Sequence, residues 1–354
     1  MHIAFTGFIT TPQTPSARSQ KRSNIGGLAA LMAVASLTAL VPTRILAQAT
    51  GEFLPLPAQA RPQDEPPEGF RLQRAGKNGY VVIAGFYQAT FVITSEGVVL
   101  IDAPPSLADK LPAAIKTVTS KPVTYVILTH DHYDHIGAAT KFAGAKLVAH
   151  ELTAQLLSVY PDPERPIPAI TFSGGHHTLT VGGERFELIY PGPNHETGNI
   201  IVYVPQEKLA VMTDLVMPGW VPYRAWGNAD HIPGILKAHD ALLGLDFDTY
   251  VGGHVYRTGT RRDVEQSRAY LIDLLNWTKE EMSAVPFKPA AEPANVWAAQ
   301  TVWLDQVATR VTARLVAKWK DTLAGADTFT HDTVTAAIVS LSTDAPKIPP
   351  ESLK

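Results

Sequence analysis

The sequence of 354 residues contains no cysteine. This absence excludes disulfide bonds, a thiolate nucleophile, a lipid anchor on cysteine and any metal site with a cysteine ligand. The chain also lacks a basic run or stripe, since 30 lysines and arginines are outweighed by 33 acidic residues. The mildly acidic balance, with a formal net charge of −3, disfavours nucleic acid as the main partner. With 45% hydrophobic residues, the chain is long enough to bury a sizeable core.

A long hydrophobic run is missing as well. The apolar stretch Ile25–Val41 is diluted by Gly, Ser and Thr and falls short of the about 20 residues that a membrane span needs. It follows a basic segment and precedes Ala47 and Ala49, which have the spacing of a signal-peptidase site. We therefore predict that residues 1–49 are a signal peptide and that the mature protein is periplasmic or secreted, without stable membrane insertion. An uncleaved membrane anchor is the alternative.

The rest of the chain divides into three parts. Residues 50–78 are rich in Pro, Gln and Glu without a period, which predicts a linker or wrapping arm. Over residues 79–260, short β-branched runs alternate with helical patterns, which indicates an α/β fold with both faces of its sheets covered. Residues 261–354 show only helical spacing and predict a C-terminal helical extension. This extension is expected to cover the fold, line a pocket or form a homodimer interface.

Three of the twelve histidines lie in the stretch LTHDHYDHIG, residues 128–137. The stretch follows an almost wholly apolar run that predicts a buried strand. Side chains two positions apart in an extended loop point the same way, so His130 and His132 can reach one ion together. Asp134 and His135, where the chain turns into a helix, can face a second ion. Imidazole and carboxylate are ligands that zinc favours, so the pattern indicates a metal site rather than a solvated loop.

Three further candidate ligands also follow predicted strands. His195 lies in YPGPNHETGNI, Asp214 in LAVMTDLVMPG and His254 in TYVGGHVYRTG. A fold commonly delivers functional groups from such loops. A lone histidine is more often structural, but three such positions after the first cluster indicate that these side chains converge.

Together these four motifs resemble the metallo-β-lactamase-fold hydrolase superfamily, in particular its glyoxalase II-like and lactonase-like dizinc members. THDHYDHIG is similar to the family's His-x-His-x-Asp-His signature, and PGPNHETGN, VMTDLV and VGGH are similar to its later ligand loops. The likeness covers about residues 78–260 and implies an αββα sandwich. One departure is Thr213, which stands before Asp214 where the family usually has glycine.

Carried over position by position, the resemblance implies two metal ions, zinc by preference and iron or manganese as alternatives. The first ion would be held by His130, His132 and His195. The second ion would be held by Asp134, His135 and His254. Asp214 would bridge the two.

Such a centre performs hydrolysis. Two zinc ions lower the pKa of a shared water towards neutrality, and one of them polarises the substrate. The resemblance implies that Asp134 also orients this water and relays its proton as a catalytic residue. The expected substrate is a small molecule with an ester, lactone or amide bond.

The loop after Asp214, residues 217–230, offers the best sequence clue to that substrate. Trp220, Tyr223 and Trp226 are candidates for lining an apolar pocket. Tyr223 is also a candidate catalytic donor to a developing oxyanion, and Arg224 is a candidate partner for a substrate carboxylate. The competing interpretation is that these aromatic side chains pack the loop onto the body of the protein.

Four more residues have weaker assignments. Phe86 and Tyr87 lie on a hairpin that flanks the site in relatives, so they are candidates for substrate contact, with packing as the alternative. Asp102 ends a predicted strand, where relatives have an aspartate that supports the metal loop; capping of a helix is the alternative. His239 lies on a predicted helix and is expected at its surface.

Three rival interpretations stay open. The first is a β-lactamase-like amidohydrolase. The second is a nonhaem iron persulfide dioxygenase on the same fold, which needs only two histidines and one aspartate and is disfavoured by seven candidate ligands. The third is a non-catalytic binding member, which predicts lost ligands.

Overall fold

The central strands Gly79–Ala84 and Gly97–Ile101 are almost continuously apolar, and their successive side chains point to opposite faces of the sheet, both of which are buried. The structure, a computed structural model, describes residues 53–288 and 294–344. The predicted signal peptide, residues 1–49, lies outside the described residues.

The first sheet contains seven strands in sequential order. They are β1 (Arg71–Ala75), β2 (Gly79–Ala84), β3 (Tyr87–Thr94), β4 (Gly97–Ile101), β5 (Val123–Ile127), β6 (Lys146–His150) and β7 (Ile170–Phe172). Strands β1 to β4 pair antiparallel and β4 to β7 pair parallel. The structure differs here from the arm predicted over residues 50–78. Strand β1 belongs to the sheet. It is a mostly half-buried edge strand, so its sequence lacks the apolar run by which the inner strands are recognised.

The second sheet has five strands in the order β12-β11-β10-β9-β8. They are β8 (His176–Val181), β9 (Glu184–Ile189), β10 (Ile201–Val204), β11 (Leu209–Val211) and β12 (Thr249–Val251). The predicted hairpin of β8 and β9 is confirmed, with Gly182 at φ +53° and Gly183 at φ +90° in the connecting turn. Only glycine adopts such angles without strain.

Helices cover the outer face of each sheet. They are α1 (Lys110–Val118), α2 (Tyr133–Ile136), α3 (Glu151–Val159), α4 (Ile232–Leu243), α5 (Arg261–Ala284), α6 (Val296–Trp319) and α7 (Ala326–Thr343). Leu111 of α1 packs with Leu100 outside the first sheet, and helices α4 to α7 pack outside the second sheet. Val99 and Val202 meet between the two sheets. The αββα sandwich with a C-terminal helical extension is therefore confirmed.

The packing of α5 against α4 shows that the predicted surface position of His239 was wrong. His239 of α4 is fully buried, not at the surface, and its Nε2 lies 3.0 Å from the hydroxyl of Ser267 on α5. His239 shares a helix face with the buried residues Ile235 and Leu242, and the helical extension covers that face. In the described part of the chain, no helix is long and apolar enough to cross a membrane.

Candidate metal centre

The predicted ligands converge at one edge of the sandwich. The loop after β5 carries His130 and His132, and the one-turn helix α2 carries Asp134 and His135. The remaining candidates His195, Asp214 and His254 come from the loops after β9, β11 and β12, in the second sheet. These three loops and the loop after β5 of the first sheet lie at the same edge of the sandwich. The seven candidate ligands can therefore face one another.

Asp214 lies between two groups of possible ligands. The first group is His130, His132, His195 and Asp214, and the second is Asp134, His135 and His254. Asp214 Oδ2 is 3.2 Å from Nε2 of His195 in the first group and 3.2 Å from Nε2 of His135 in the second. Asp214 Oδ1 is 3.1 Å from Nε2 of His254. A single carboxylate therefore contacts both groups, which is the arrangement expected of a bridging ligand.

Several imidazole nitrogen atoms of the cluster lie close together without a satisfactory hydrogen bond, and a cation between them would explain this arrangement. His135 Nε2 lies 3.0 Å from His254 Nε2, and His195 Nε2 lies 3.1 Å from His132 Nδ1. The fully buried His130 Nε2 has no hydrogen-bond partner, which costs free energy unless something binds there. Imidazole and carboxylate donors without thiolate suit a divalent metal ion. The cluster therefore suggests divalent metal binding.

Burial and charge shift the cluster's pKa values in opposite directions. Burial lowers the pKa of His130 to about 3, so this imidazole is neutral, as a ligand must be. Burial alone would raise the pKa of Asp214, but the surrounding histidines hold it well below its ordinary value. Burial would likewise lower the pKa of His135, yet Asp214 and Asp134 raise it to about 10. Binding of a cation here would therefore have to displace a proton.

Hydrogen bonds next to the cluster determine which ring nitrogen of His130 carries the proton. Asp102 accepts hydrogen bonds from the backbone N–H of Thr129 at 2.8 Å and from its hydroxyl at 2.7 Å. The Thr129 Oγ1 lies 3.0 Å from His130 Nδ1 and can only accept there, so Nδ1 carries the proton. Nε2 is then left free to bind a cation. The geometry supports the metal-loop role of Asp102 over helix capping.

A cavity of about 300 Å³ opens onto the cluster. Phe86, Tyr87 and Tyr223 line it, as predicted for substrate contact, and the Tyr87 hydroxyl donates to Asp134 Oδ2 at 3.2 Å. Three further lining residues were missed by the sequence interpretation, namely Met217, Gly227 and Asn228. All three lie in the loop of residues 217–230, but their residue types gave no indication that they would line the cavity.

The other predicted substrate contacts do not line this cavity. Trp226 is buried and donates its indole N–H to the carbonyl oxygen of Thr333, while Arg224 forms an ion pair with Asp332 at 2.6 Å. Trp220 pairs through its backbone with Ala324. The Trp220 ring also lies against Gly325. The helical extension therefore contacts all three residues, and the alternative interpretation, packing, describes Trp220 and Trp226.

An αββα sandwich with histidines and aspartates converging below a cavity defines a metal-dependent hydrolase or a closely related enzyme. The chain belongs to the metallo-beta-lactamase superfamily, whose profile matches residues 82–272. It is 36% identical to the 2,4-dinitroanisole O-demethylase subunit alpha of Nocardioides sp. (strain JS1661), over 52% of this chain and 57% of that protein. It is 34% identical to the metallo-beta-lactamase type 2 of Bacillus sp. (strain 170), over 33% of this chain and 45% of that protein.

The match spans about half the length of these curated relatives. Among solved structures, the chain is similar to the metallo-beta-lactamase from Pontibacter korlensis, with 24% identity and a TM-score of 0.49. That similarity covers 57% of this chain and 98% of the other. The profile ends at residue 272, so helices α6 and α7 lie outside the matched region.

Proposed function

We propose that this protein is an exported dinuclear zinc hydrolase that cleaves an ester, lactone or amide bond in a small molecule. The observation that carries the proposal is the carboxylate of Asp214, which contacts histidines of both ligand groups. A single-iron dioxygenase needs only two histidines and one aspartate, so the complete set of seven candidates supports a centre for two ions. No predicted ligand is missing, which argues against a non-catalytic member.

The ligand groups would hold two zinc ions, with iron or manganese as alternatives. When bound, the two ions would act as Lewis acids and lower the pKa of a water between them. The chain's own contribution is to keep His130 and His132 neutral at ordinary pH, because burial lowers the pKa of both rings. Asp134, half-exposed at the floor of the cavity, is placed to orient a water and accept its proton.

The lining of the cavity favours an uncharged substrate. Among the described residues, no lysine or arginine lines it, and Arg224, the predicted partner of a carboxylate, is engaged by Asp332. Phe86, Met217 and Tyr223 present apolar surface instead. A neutral ester or lactone therefore fits better than a β-lactam, whose carboxylate would find no lysine or arginine partner in this lining.

The same lining supports a second candidate function, hydrolysis of an aryl methyl ether. One relative is named as an O-demethylase of 2,4-dinitroanisole, which is an uncharged aromatic molecule. Phe86, Tyr87 and Tyr223 offer aromatic rings to such a substrate. Because that relative is named as a subunit, association with a second chain, or a homodimer, also stays a proposal.

The first test is the metal content of the mature protein, purified without chelators from the exported fraction. We expect about two zinc per chain, and hydrolysis of neutral aryl esters or lactones that is lost on chelation and restored by zinc. A nitroanisole and a β-lactam complete the substrate panel. One iron per chain with oxygen uptake, or no bound metal even after addition, would overturn the proposal.

Export is tested separately. We expect the protein to accumulate outside the cytoplasm, with a mass that corresponds to a chain starting near Thr50. An intact mass in the cytoplasmic fraction would contradict the leader assignment but would leave the hydrolase proposal standing.

A further inference from the structure

The turn Arg224–Asn228 has a backbone conformation that L-amino acids rarely adopt. The φ angles are +48° at Ala225, +63° at Trp226, +72° at Gly227 and +59° at Asn228, so four consecutive residues are left-handed. Each non-glycine residue in this region costs about 1 kcal/mol or more. Such strain persists only where surrounding contacts enforce it.

Helix α7 supplies those contacts. The Trp226 side chain is 2% exposed, and its indole N–H donates to the carbonyl oxygen of Thr333 at 2.9 Å. The ring of Tyr223 packs edge-on against Phe329, with centroids 5.1 Å apart. The ion pair of Arg224 with Asp332 is exposed and adds little.

The backbone before the turn is held by the segment that leads into α7. Ala324 accepts a hydrogen bond from the N–H of Val221 at 3.0 Å and donates its own N–H to the carbonyl of Gly219 at 2.9 Å. These two bonds form a short ladder between the metal-site loop and the α6–α7 connection. The loop is therefore fastened to the helical extension at both its entry and its turn.

The other side of the turn faces the metal centre. Tyr223, Gly227 and Asn228 line the cavity. A Cβ atom placed on Gly227 would lie 3.4 Å from Nδ1 of His195, so the backbone of the turn lies directly against a predicted ligand. After the turn, the N–H of Asp230 donates to the carbonyl of His195 at 3.0 Å. A shift of the turn would therefore change the shape of the cavity wall beside His195.

We propose that helix α7 clamps the turn Arg224–Asn228 and thereby sets the shape of the substrate cavity, with Trp226 as the positioning residue. Trp226 does not line the cavity and acts through Tyr223, Gly227 and Asn228. The residues of α7 that hold the turn lie beyond the family match, which ends at residue 272. The effect of the clamp on selectivity rests on the proposed hydrolase function, whereas the clamp itself does not.

The test is Trp226→Phe, which keeps an aromatic ring and removes the indole N–H. The matched control is Trp303→Phe, because Trp303 on α6 donates its indole N–H to the backbone carbonyl of Val285 at 2.9 Å and lines a different cavity. Hydrogen–deuterium exchange is measured on the full chain over residues 219–231. We expect exchange there to accelerate about tenfold in Trp226→Phe and to be unchanged in Trp303→Phe.

Kinetics on a hydrolysed neutral ester give the second readout. We expect KM to rise about tenfold in Trp226→Phe with kcat and metal content near those of wild type, and neither parameter to change in Trp303→Phe. Phe329→Leu should produce the same pattern, which guards against misfolding of one variant. Unchanged exchange over residues 219–231, or equal changes in both tryptophan variants, would overturn the clamp. If no ester is hydrolysed, the exchange result still decides it, and only the proposed function fails.

Discussion

The hydroxyl of Thr213 donates a hydrogen bond to Oδ2 of Asp102 at 2.8 Å, across the two sheets of the sandwich. Thr213 directly precedes Asp214, and Asp102 also binds Thr129 beside His130. Asp102 is buried at 2% exposure with a left-handed φ of +60°, a strained conformation that these bonds support. The threonine that departs from the family's usual glycine thus links both halves of the metal centre.

Replacement of Asp102 should weaken metal binding without removing a ligand. In Asp102→Asn, a neutral amide replaces the acceptor that orders Thr129 and Thr213, so His130 loses its fixed protonation state. We expect metal affinity to fall about 10- to 100-fold in chelator competition. The control is Asp109→Asn, because the Asp109 side chain is 91% exposed and pairs with Lys141. Equal affinities in both variants would show that Asp102 has no role in supporting the metal loop.

Asp214→Asn should change the stoichiometry of the centre. An amide oxygen is neutral and cannot balance two cations as a shared carboxylate can. We expect the bound metal to fall from about two to one or fewer per chain, with kcat reduced at least about 10²-fold. Elemental analysis of protein purified without chelators checks the first part, and circular dichroism confirms that the variant is folded. Full occupancy by two ions would refute the bridging role.

Tyr87→Phe tests the hydrogen bond to Asp134. Burial and the negative charge of Asp134 raise the pKa of Tyr87 to about 12, so its hydroxyl is protonated and donates to the carboxylate at ordinary pH. Removal of the hydroxyl leaves Asp134 less well oriented, and we expect kcat to fall about tenfold while metal content is retained. The control Tyr80→Phe removes a hydroxyl from a residue that stacks on Phe91, away from the cavity. A kcat like that of wild type would remove Tyr87 from the mechanism.

His239 should make folding stability depend on pH between about 6.5 and 4. Burial lowers its pKa to about 4, so the folded state binds a proton less readily than the unfolded state does. The contribution of neutral His239 to the free energy of unfolding is therefore fully present above pH 6.5. This contribution is lost as the pH falls towards 4, and the free energy of unfolding decreases by up to roughly 3 kcal/mol.

Thermal unfolding of chelated protein at a series of pH values measures this effect. We expect the unfolding midpoint of His239→Gln to fall less steeply with decreasing pH than that of wild type. His331→Gln, at a partly exposed histidine paired with Asp305, serves as the control. Parallel pH curves for wild type and His239→Gln would contradict the prediction.

The sequence by itself predicted an α/β fold and the seven candidate ligands, and the resemblance of its motifs to a known family implied the αββα sandwich. Strand periodicity and the residues at strand ends are local patterns, and His130, His132 and Asp134 are close in space because they are close in the chain. The motifs around His195, Asp214 and His254 each follow a recognisable strand, and their convergence follows from strand ends that meet at one sheet edge.

The tertiary structure alone decided the surroundings of those ligands. In the sequence of residues 217–230, a tryptophan that contacts substrate looks the same as one that packs on α7. Both roles need an aromatic ring on a loop, and the packing partner lies far away in the chain. His239 was misassigned for a similar reason, since the helices that bury it follow it in the chain. These contacts join residues that are 28 positions apart for His239 and Ser267 and 107 apart for Trp226 and Thr333. They depend on how helices pack rather than on any local pattern.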